Sequence, residues 1–494
     1  MALIVFIMKV LISTFWITKF GGIVEYMHSM IQAFHDLGHE VDVVELKPTQ
    51  TKQSQYDKKY KEIESGEYQR KIVAHSQSGG YCKDDTSGYF YNTYYGYLLP
   101  PSNSIGVFEP DAIERWNKLV SDADIILWNF MPTKNSEWVK KGGGKLDFWW
   151  KFFDLPKSVK QVFLVHDAYF NVRACNVSAL KKKILFLGCA HLAAYQCCSE
   201  IGIRRNLLLN PRYIPDGAKM PKIPYEERTT DFFAAHMFKS MKHMEELIAA
   251  IPYVNKKREK DDWYKIVVAG TGIEYSYMTS EDKIKSNYMC TKKRDPNLPD
   301  KLDGKISLWN RALKFGMEYR GQMSGQAVFS ELKNTKFAID PSWADHYAKY
   351  CRTHINGFII EAMMHGAYPV IRDYRGLNKE SESEDIYDPL FENIRAVIIP
   401  WNATPKQFAN ALKKARETIT TQQFLKDTKH NFNIVTELFN AKRNAEEIIR
   451  LCRGGRKLVK EELEIGEDSD NVKRITKEVM TDFFGIDLPI EWEN

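Results

Sequence analysis

The chain has 494 residues, 44% of them hydrophobic and 13% aromatic, with a formal net charge of +6 at neutral pH. Such a length exceeds one ordinary core and predicts two or three domains, and such an apolar content excludes a disordered chain. The eight cysteines form no CxxC pair and no zinc-ligand spacing, so they are expected reduced and buried rather than bridged or metal-bound.

The apolar start, Met1 to Met8, is interrupted by Lys9, is followed by no small-residue cleavage site and runs on through Val10 to Thr14. It reads as a buried first strand rather than a signal peptide. No run approaches the ~18 apolar residues that cross a membrane. A cytoplasmic protein without a transmembrane segment is expected, and no motif fixes an oligomeric state.

Residues 10–14 predict a strand, Phe20-Gly21-Gly22 a tight loop, Val24 to Leu37 a helix stopped by Gly38, and Val41 to Leu46 the next strand. A strand, helix and strand in this order form a parallel, Rossmann-like unit. Residues 51–108, rich in Tyr, Gly and Ser, read as an insert. Further buried strands are expected at 124–128, 161–165, 232–235, 265–269 and 337–340, separated by helical patterns. Four prolines between Asn210 and Arg228 (Pro211, Pro215, Pro221 and Pro224) mark a connector between two Rossmann-like halves. Residues 281–305 form a second polar, Lys-rich insert. Helix-forming sequence dominates from Thr404 to Arg453, ahead of a charged tail.

The segment from Asn356 to Ile371 carries the most chemical information. Phe358, Ile359, Ala362 and Met363 share one face of an expected amphipathic helix, Gly366 suits its left-handed stop, and Pro369 leads into a strand. Glu361 then sits on a firmly held helix near the carboxyl ends of a sheet, where open α/β folds bind ligands. Taken alone, a surface Glu on a packing helix fits equally well.

This pattern resembles the Glu-Ala-Met-x-x-Gly-x-Pro-Val-Ile signature of GT-B glycosyltransferases of the retaining, family-four type. The resemblance implies an α/β GT-B fold, two Rossmann-like domains facing a cleft. Residues 1–215 would form the acceptor domain with its insert, and 216–431 the nucleotide-sugar domain. Residues 432–494 would supply a helix crossing back to the first domain, plus a tail. It implies that Glu361 holds the ribose of a nucleotide-diphosphate sugar such as UDP-glucose.

Other landmarks recur in order along the chain. Gly21 and Gly22 at a helix start offer backbone N–H groups to an anion. Lys242 matches the family's diphosphate-gripping Lys. The partner Arg position falls near His236, so Lys239 is the expected substitute. Gly270 and Thr271 resemble a strand-end glycine turn, Arg320, Gly321, Gln322 and Ser324 the loop that holds the base, and Pro341-Ser342 a further strand end. Ordinary solvated lysines remain the plain alternative at 239 and 242.

One departure is evident. The family carries another Glu eight positions before Glu361, where this chain has Thr353. Arg352, His354 and Asp345 are the candidates to touch the donor sugar instead. The phage DNA α-glucosyltransferases that modify hydroxymethylcytosine depart from the same spacing.

His166-Asp167 ends a buried strand and matches the family's strand-end His, with His-Asp in the phage DNA enzymes. A structural hydrogen-bonded couple is the alternative. Transfer in this family is thought to proceed on one face of the sugar, so the departing diphosphate needs donors already in place. Lys239, Lys242 and the helix start near Gly21 are the candidates, and Asp167 is placed to orient or deprotonate the acceptor. With lysines in that role, no metal or other cofactor is expected.

Between Lys134 and Lys183 there are eleven Lys or Arg against four Asp or Glu, a net of +7 that exceeds the charge of the whole chain. Lys140, Lys141 and Lys145 flank three glycines, and Trp149 and Lys151 follow among further aromatics. Cations beside aromatics suit a phosphate backbone and an unstacked base, which a base-modifying enzyme must flip out. A solvated loop followed by an aromatic core helix is the competing description, and an anionic membrane surface would attract the same charge.

The expected function is therefore transfer of a sugar from a nucleotide-diphosphate donor to a hydroxymethylated pyrimidine in phage DNA. Two alternatives are a family-four enzyme acting on a lipid-linked or cell-envelope saccharide, and an inactive nucleotide-sugar-binding protein.

Overall fold

The computed structural model describes residues 7–14, 22–47, 91–92, 97–98, 102–107, 109–129, 151–166, 182–191, 194–195, 198, 203–236, 238, 242–270, 308–321, 323, 325–342, 355–373, 393–400 and 402–454. They fall into two compact units, one made of residues up to 216 with 438–454, the other of 217–437.

The first unit holds β1 (Lys9–Thr14), β2 (Glu40–Lys47), β5 (Ser102–Gly106), β6 (Ile125–Trp128), β7 (Lys160–Val165), β8 (Ile184–Cys189) and β9 (Arg205–Leu207), in the spatial order β5-β2-β1-β6-β7-β8-β9. Every pairing is parallel. A short antiparallel pair, β3 (Tyr91–Asn92) and β4 (Tyr97–Leu98), precedes β5. The central strands are buried on both faces, which is why they read as continuous apolar runs.

Helix α1 begins at Gly22 and runs to Asp36, so Gly22 belongs to the helix rather than to the expected loop. Helix α2 (Ala112–Val120) buries Trp116, whose ring lies 5.3 Å from Trp128 and 5.7 Å from Phe152. Part of the expected insert is sheet, because β5 pairs with β2 as an edge strand. Its sequence, Ser-Asn-Ser-Ile-Gly, has no apolar alternation to announce it.

The second unit has β10 (Thr230–Ala235), β11 (Ile266–Ala269), β12 (Met317–Tyr319), β13 (Thr335–Asp340), β14 (Tyr368–Asp373) and β15 (Val397–Pro400), in the order β12-β11-β10-β13-β14-β15, again all parallel. This is the doubly wound order, in which the winding reverses beside the first strand. Helices α3 (Met244–Asn255), α4 (Leu308–Lys314), α5 (Gly325–Lys333), α6 (Gly357–Met364) and α7 (Pro405–Thr418) join or cover its strands. A core of aromatic and aliphatic side chains, among them Phe232, Phe337, Trp309 and Phe408, lies under α3, α4 and α7.

The single helix expected at the start of 432–494 is two. Helix α8 (Thr421–Leu438) ends, Asn440 caps a new start by accepting from Lys442 N, and α9 (Ala441–Cys452) packs on α1 in the first unit. Among the described residues, no helix is long and apolar enough to cross a membrane. Cys189, Cys198 and Cys452 are buried and unbridged.

Candidate functional site

In each doubly wound sheet the ligand crevice is expected where the strand order reverses, at the carboxyl ends of β1 and β6 and of β10 and β13. Both places carry polar side chains in an otherwise apolar interior.

In the second unit, His236 follows β10 and Asp340 ends β13. His236 Nε2 donates to Ile339 O at 3.1 Å and lies 3.6 Å from Asp340 Oδ1. Burial holds this imidazole below its ordinary pKa, with Asp340 opposing and Lys242 reinforcing the effect. It is therefore neutral and does not serve as a stand-in for the Arg expected there.

Asp340 is the hub of this corner. Its Oδ1 accepts from Ser342 N at 3.0 Å and from the Ser342 hydroxyl, and its Oδ2 accepts from the Asn356 amide. Asn356 is in turn the N-cap of α6, accepting from Phe358 N at 3.2 Å. Strand end and helix start are thus tied together, and Glu361 rides on the pinned helix.

Glu361 is 6% exposed, and its neighbours Phe358, Ile359, Ile360, Ala362 and Met363 are buried as well. The expected amphipathic helix is corrected by this: α6 is apolar nearly all round because it sits inside the unit. Gly366 ends it with φ of +70°. At the helix end, His365 Nδ1 donates to the backbone carbonyl of Glu361 at 2.8 Å, and burial lowers its pKa to about 4.

Gly270 follows β11 with φ of +122°, a conformation in which a Cβ would stand 1.8 Å from the His236 carbonyl oxygen. Its amide donates to Gly321 O at 2.7 Å, and its carbonyl accepts from Tyr319 OH at 2.8 Å. The ends of β11 and β12 are thereby tied together, with both peptide groups of Gly270 hydrogen-bonded. Arg320 is bound to Glu318 and Glu331, each at 2.7 Å, so its guanidinium holds the loop.

Lys242 lies at the entrance to α3, partly exposed. The next residue, His243, is the N-cap of α3 and has φ of +46°, the one described non-glycine residue with positive φ. Its Nδ1 lies 3.2 Å from Glu246 Oε1 and 3.6 Å from Glu245 Oε1, and Glu246 also meets the buried Arg372 of β14. Burial opposes charge on this imidazole, but the two carboxylates overcome it and raise its pKa to about 9. A buried imidazolium in a left-handed conformation fixes where the chain, and with it Lys242, enters the helix. Sequence reading missed this group. The signal was present in Lys242-His243-Met244-Glu245-Glu246, whose acids occupy the first helical turn.

In the first unit four adjacent strands end in Thr14, Asn129, His166 and His191. Asn129 Nδ2 donates to Thr14 Oγ1 at 3.3 Å, and His166 Nε2 lies 2.5 Å from Asn129 Oδ1. His191 Nδ1 accepts from Ala194 N at 3.2 Å, so its Nε2 carries the proton and donates to His166 O at 3.1 Å. Burial, then the neighbouring His191, lowers the His166 pKa to about 3. Tyr26 of α1 stands edge-on to the His166 ring, with centroids 4.6 Å apart.

Of the predicted site residues, Gly22, Lys151, His166, Lys242, Gly270, Gly321 and Glu361 are described. Gly21, Asp167, Lys239, Thr271, Asp345, Arg352, Thr353, His354, Lys140, Lys141, Lys145 and Trp149 lie outside the described residues. Lys151 is exposed, but Phe152 and Phe153 beside it are buried, Phe153 at 4.2 Å from the Trp128 ring. Those two rings are core rather than stacking platforms for bases. Lys183 is paired with Asp154.

No family model and no curated protein sequence matches the chain. Solved structures do. An alpha-glucosyltransferase in complex with UDP-glucose and DNA containing an abasic site is 12% identical, with a TM-score of 0.55 over 90% of this chain and 99% of the other. A mutant of S. aureus TarM, in complex with Fondaparinux, alpha-GlcNAc-glycerol and UDP, is 12% identical with a TM-score of 0.51 over 90% and 100%. Sucrose-phosphate synthase from Thermosynechococcus elongatus is 12% identical with a TM-score of 0.50 over 90% and 98%. The chain shares the GT-B α/β fold with these proteins along nearly its full length.

Proposed function

We propose that the chain is a retaining glycosyltransferase that takes a sugar from a UDP-type donor and places it on a hydroxymethylated pyrimidine in DNA. The observation that carries the donor half is the corner of the second unit at its winding reversal. There, beside the glycine turn at Gly270, the cation of Lys242 enters a helix at His243, and the buried carboxylate of Glu361 rides on a helix pinned by Asp340 and Asn356. A Lys at a helix entrance favours a diphosphate, and a carboxylate accepts from two ribose hydroxyls.

In this reading Lys242 stabilises the charge that develops on the departing diphosphate, and the strand-end row of the first unit serves the acceptor. The support for DNA is the +7 stretch between Lys134 and Lys183, together with the DNA-bound alpha-glucosyltransferase among the structural neighbours. The TarM neighbour, with its glycerol-linked sugar, supports the saccharide alternative.

The test is to incubate the full chain with several nucleotide sugars and DNA containing hydroxymethylated pyrimidines, then digest to nucleosides for mass analysis. A sugar-bearing nucleoside is expected, with DNA affinity falling steeply as salt rises. Transfer to a polyol phosphate or lipid-linked saccharide with none to DNA would replace the acceptor. Absence of donor consumption with every acceptor would remove the transferase reading.

A further inference from the structure

The row Thr14, Asn129, His166 and His191 is built more tightly than a chance meeting of strand ends requires. Three of its links are hydrogen bonds between neighbours, spanning 115, 37 and 25 residues of sequence. We propose that Asn129 is a positioning residue for His166, holding the imidazole in the tautomer with the proton on Nε2 so that Nδ1 faces its ligand as a hydrogen-bond acceptor.

The direction of the chain of bonds follows from the donors. Asn129 Nδ2 is turned to the Thr14 hydroxyl, which leaves the amide oxygen for His166. An amide oxygen only accepts, so the proton of the His166–Asn129 bond belongs to the ring. Among the described residues, Nδ1 of His166 has no hydrogen-bond partner. His191 anchors the backbone from the other side, and its own tautomer is fixed because the Ala194 amide occupies its Nδ1. Among the described residues, the titratable groups facing the ring are Tyr26 from α1 and His191 from the end of β8, and neither is an anion at neutral pH. Nothing near the ring on these elements stabilises an imidazolium, in agreement with its depressed pKa.

The consequence for chemistry is specific. A ring fixed this way accepts a hydrogen bond from a hydroxyl or takes its proton, and does not donate one. That the hydroxyl belongs to a sugar or to a sugar acceptor rests on the transferase reading; the tautomer does not.

The full chain labelled with ¹⁵N-histidine gives the first readout, with His166→Gln used to assign the ring by subtraction. Long-range ¹H–¹⁵N correlation is expected to show a protonated Nε2 and a bare Nδ1 in the wild type, and a mixture of tautomers in Asn129→Ala. Asn129→Asp is the second variant. Its carboxylate keeps the Nε2–H bond and raises the His166 pKa, so an acid limb absent from the wild type should enter the pH profile of sugar transfer. In Asn129→Ala, kcat should fall roughly tenfold, as loss of one orienting hydrogen bond implies, with KM little changed.

A wild-type ring protonated on Nδ1, or a tautomer indifferent to Asn129→Ala in a folded protein, overturns the proposal. So does a pH profile identical in the wild type and Asn129→Asp. If no sugar transfer is found with any acceptor, the transferase reading fails while the tautomer measurement still decides this one.

Discussion

The buried imidazolium of His243 makes the stability of the second unit depend on alkaline pH. In the folded chain its pKa is raised from 6.5 to about 9, because Glu245 and Glu246 outweigh the cost of burial. The folded form therefore holds the proton more tightly than the unfolded chain. Its contribution is complete below about pH 6.5 and is lost as pH rises through about 9. The gap corresponds to roughly 3 kcal/mol at most, since each tenfold preference is worth about 1.4 kcal/mol. Urea unfolding of the full chain at pH 6, 7.5 and 9.5 measures this, followed through ¹⁹F resonances of Trp263 and Trp309 in the second unit. The wild type should lose about 2–3 kcal/mol more than His243→Gln across that range, and the variant should start lower because Glu245 and Glu246 lose their cation. Parallel pH dependences in the two proteins would refute the assignment of a charged His243.

Three substitutions probe the remaining corner. Gly270→Ala must move the His236 carbonyl or the β11 turn, so a loss of about 3 kcal/mol or more is expected in unfolding experiments; a change under 1 kcal/mol would show that the turn gives freely. Glu361→Gln keeps the shape of α6 but replaces a charged acceptor, and calorimetry should show donor-nucleotide affinity about tenfold weaker or more. Equal affinity would remove the ribose role. Lys242→Ala should leave thermal unfolding within about 0.5 kcal/mol of the wild type while kcat falls by about 10²–10³; near-normal turnover would make this lysine a solvated bystander.

What could be read from sequence divides along a physical line. Strands β1, β6, β7, β10, β11 and β13 were legible because parallel strands covered on both faces are runs of Val, Ile, Leu and Phe, although β8, Ile-Leu-Phe-Leu-Gly-Cys, has the same character and was not among the expected strands. The edge strands β5, β9 and β12 were not, since Ser-Asn-Ser-Ile-Gly, Arg-Asn-Leu and Met-Glu-Tyr carry no such run. At the candidate site, His166, Lys242, Gly270 and Glu361 could be picked from sequence because they stand at strand ends, at a helix start or within a local pattern. Asn129, His191, Asp340 and Arg372 did not. Their roles come from partners across the sheet, as with Asn129 and Thr14 at a separation of 115 residues or Arg372 and Glu246 at 126. The resemblance places an Arg near position 236, where this chain has His; burial keeps that imidazole neutral even though Asp340 opposes the effect, and the expected substitute, Lys239, lies outside the described residues.

The way the first unit closes bears on how the chain folds during synthesis. Phe439 O accepts from Arg212 N, Ala441 N donates to Arg212 O, and Asn444 Nδ2 donates to Leu209 O, while Ala445, Ile448 and Ile449 are buried. Helix α9 thus covers α1 with residues translated some four hundred positions after it. At about 5–20 residues per second, the ribosome holds the apolar flank of α1 uncovered for roughly 20–80 seconds. During that interval the second unit has already emerged and can fold on its own contacts. The first unit to be started is the last to be finished, and nascent chains stopped before residue 441 should be captured by chaperones or proteases through α1 rather than through the second unit.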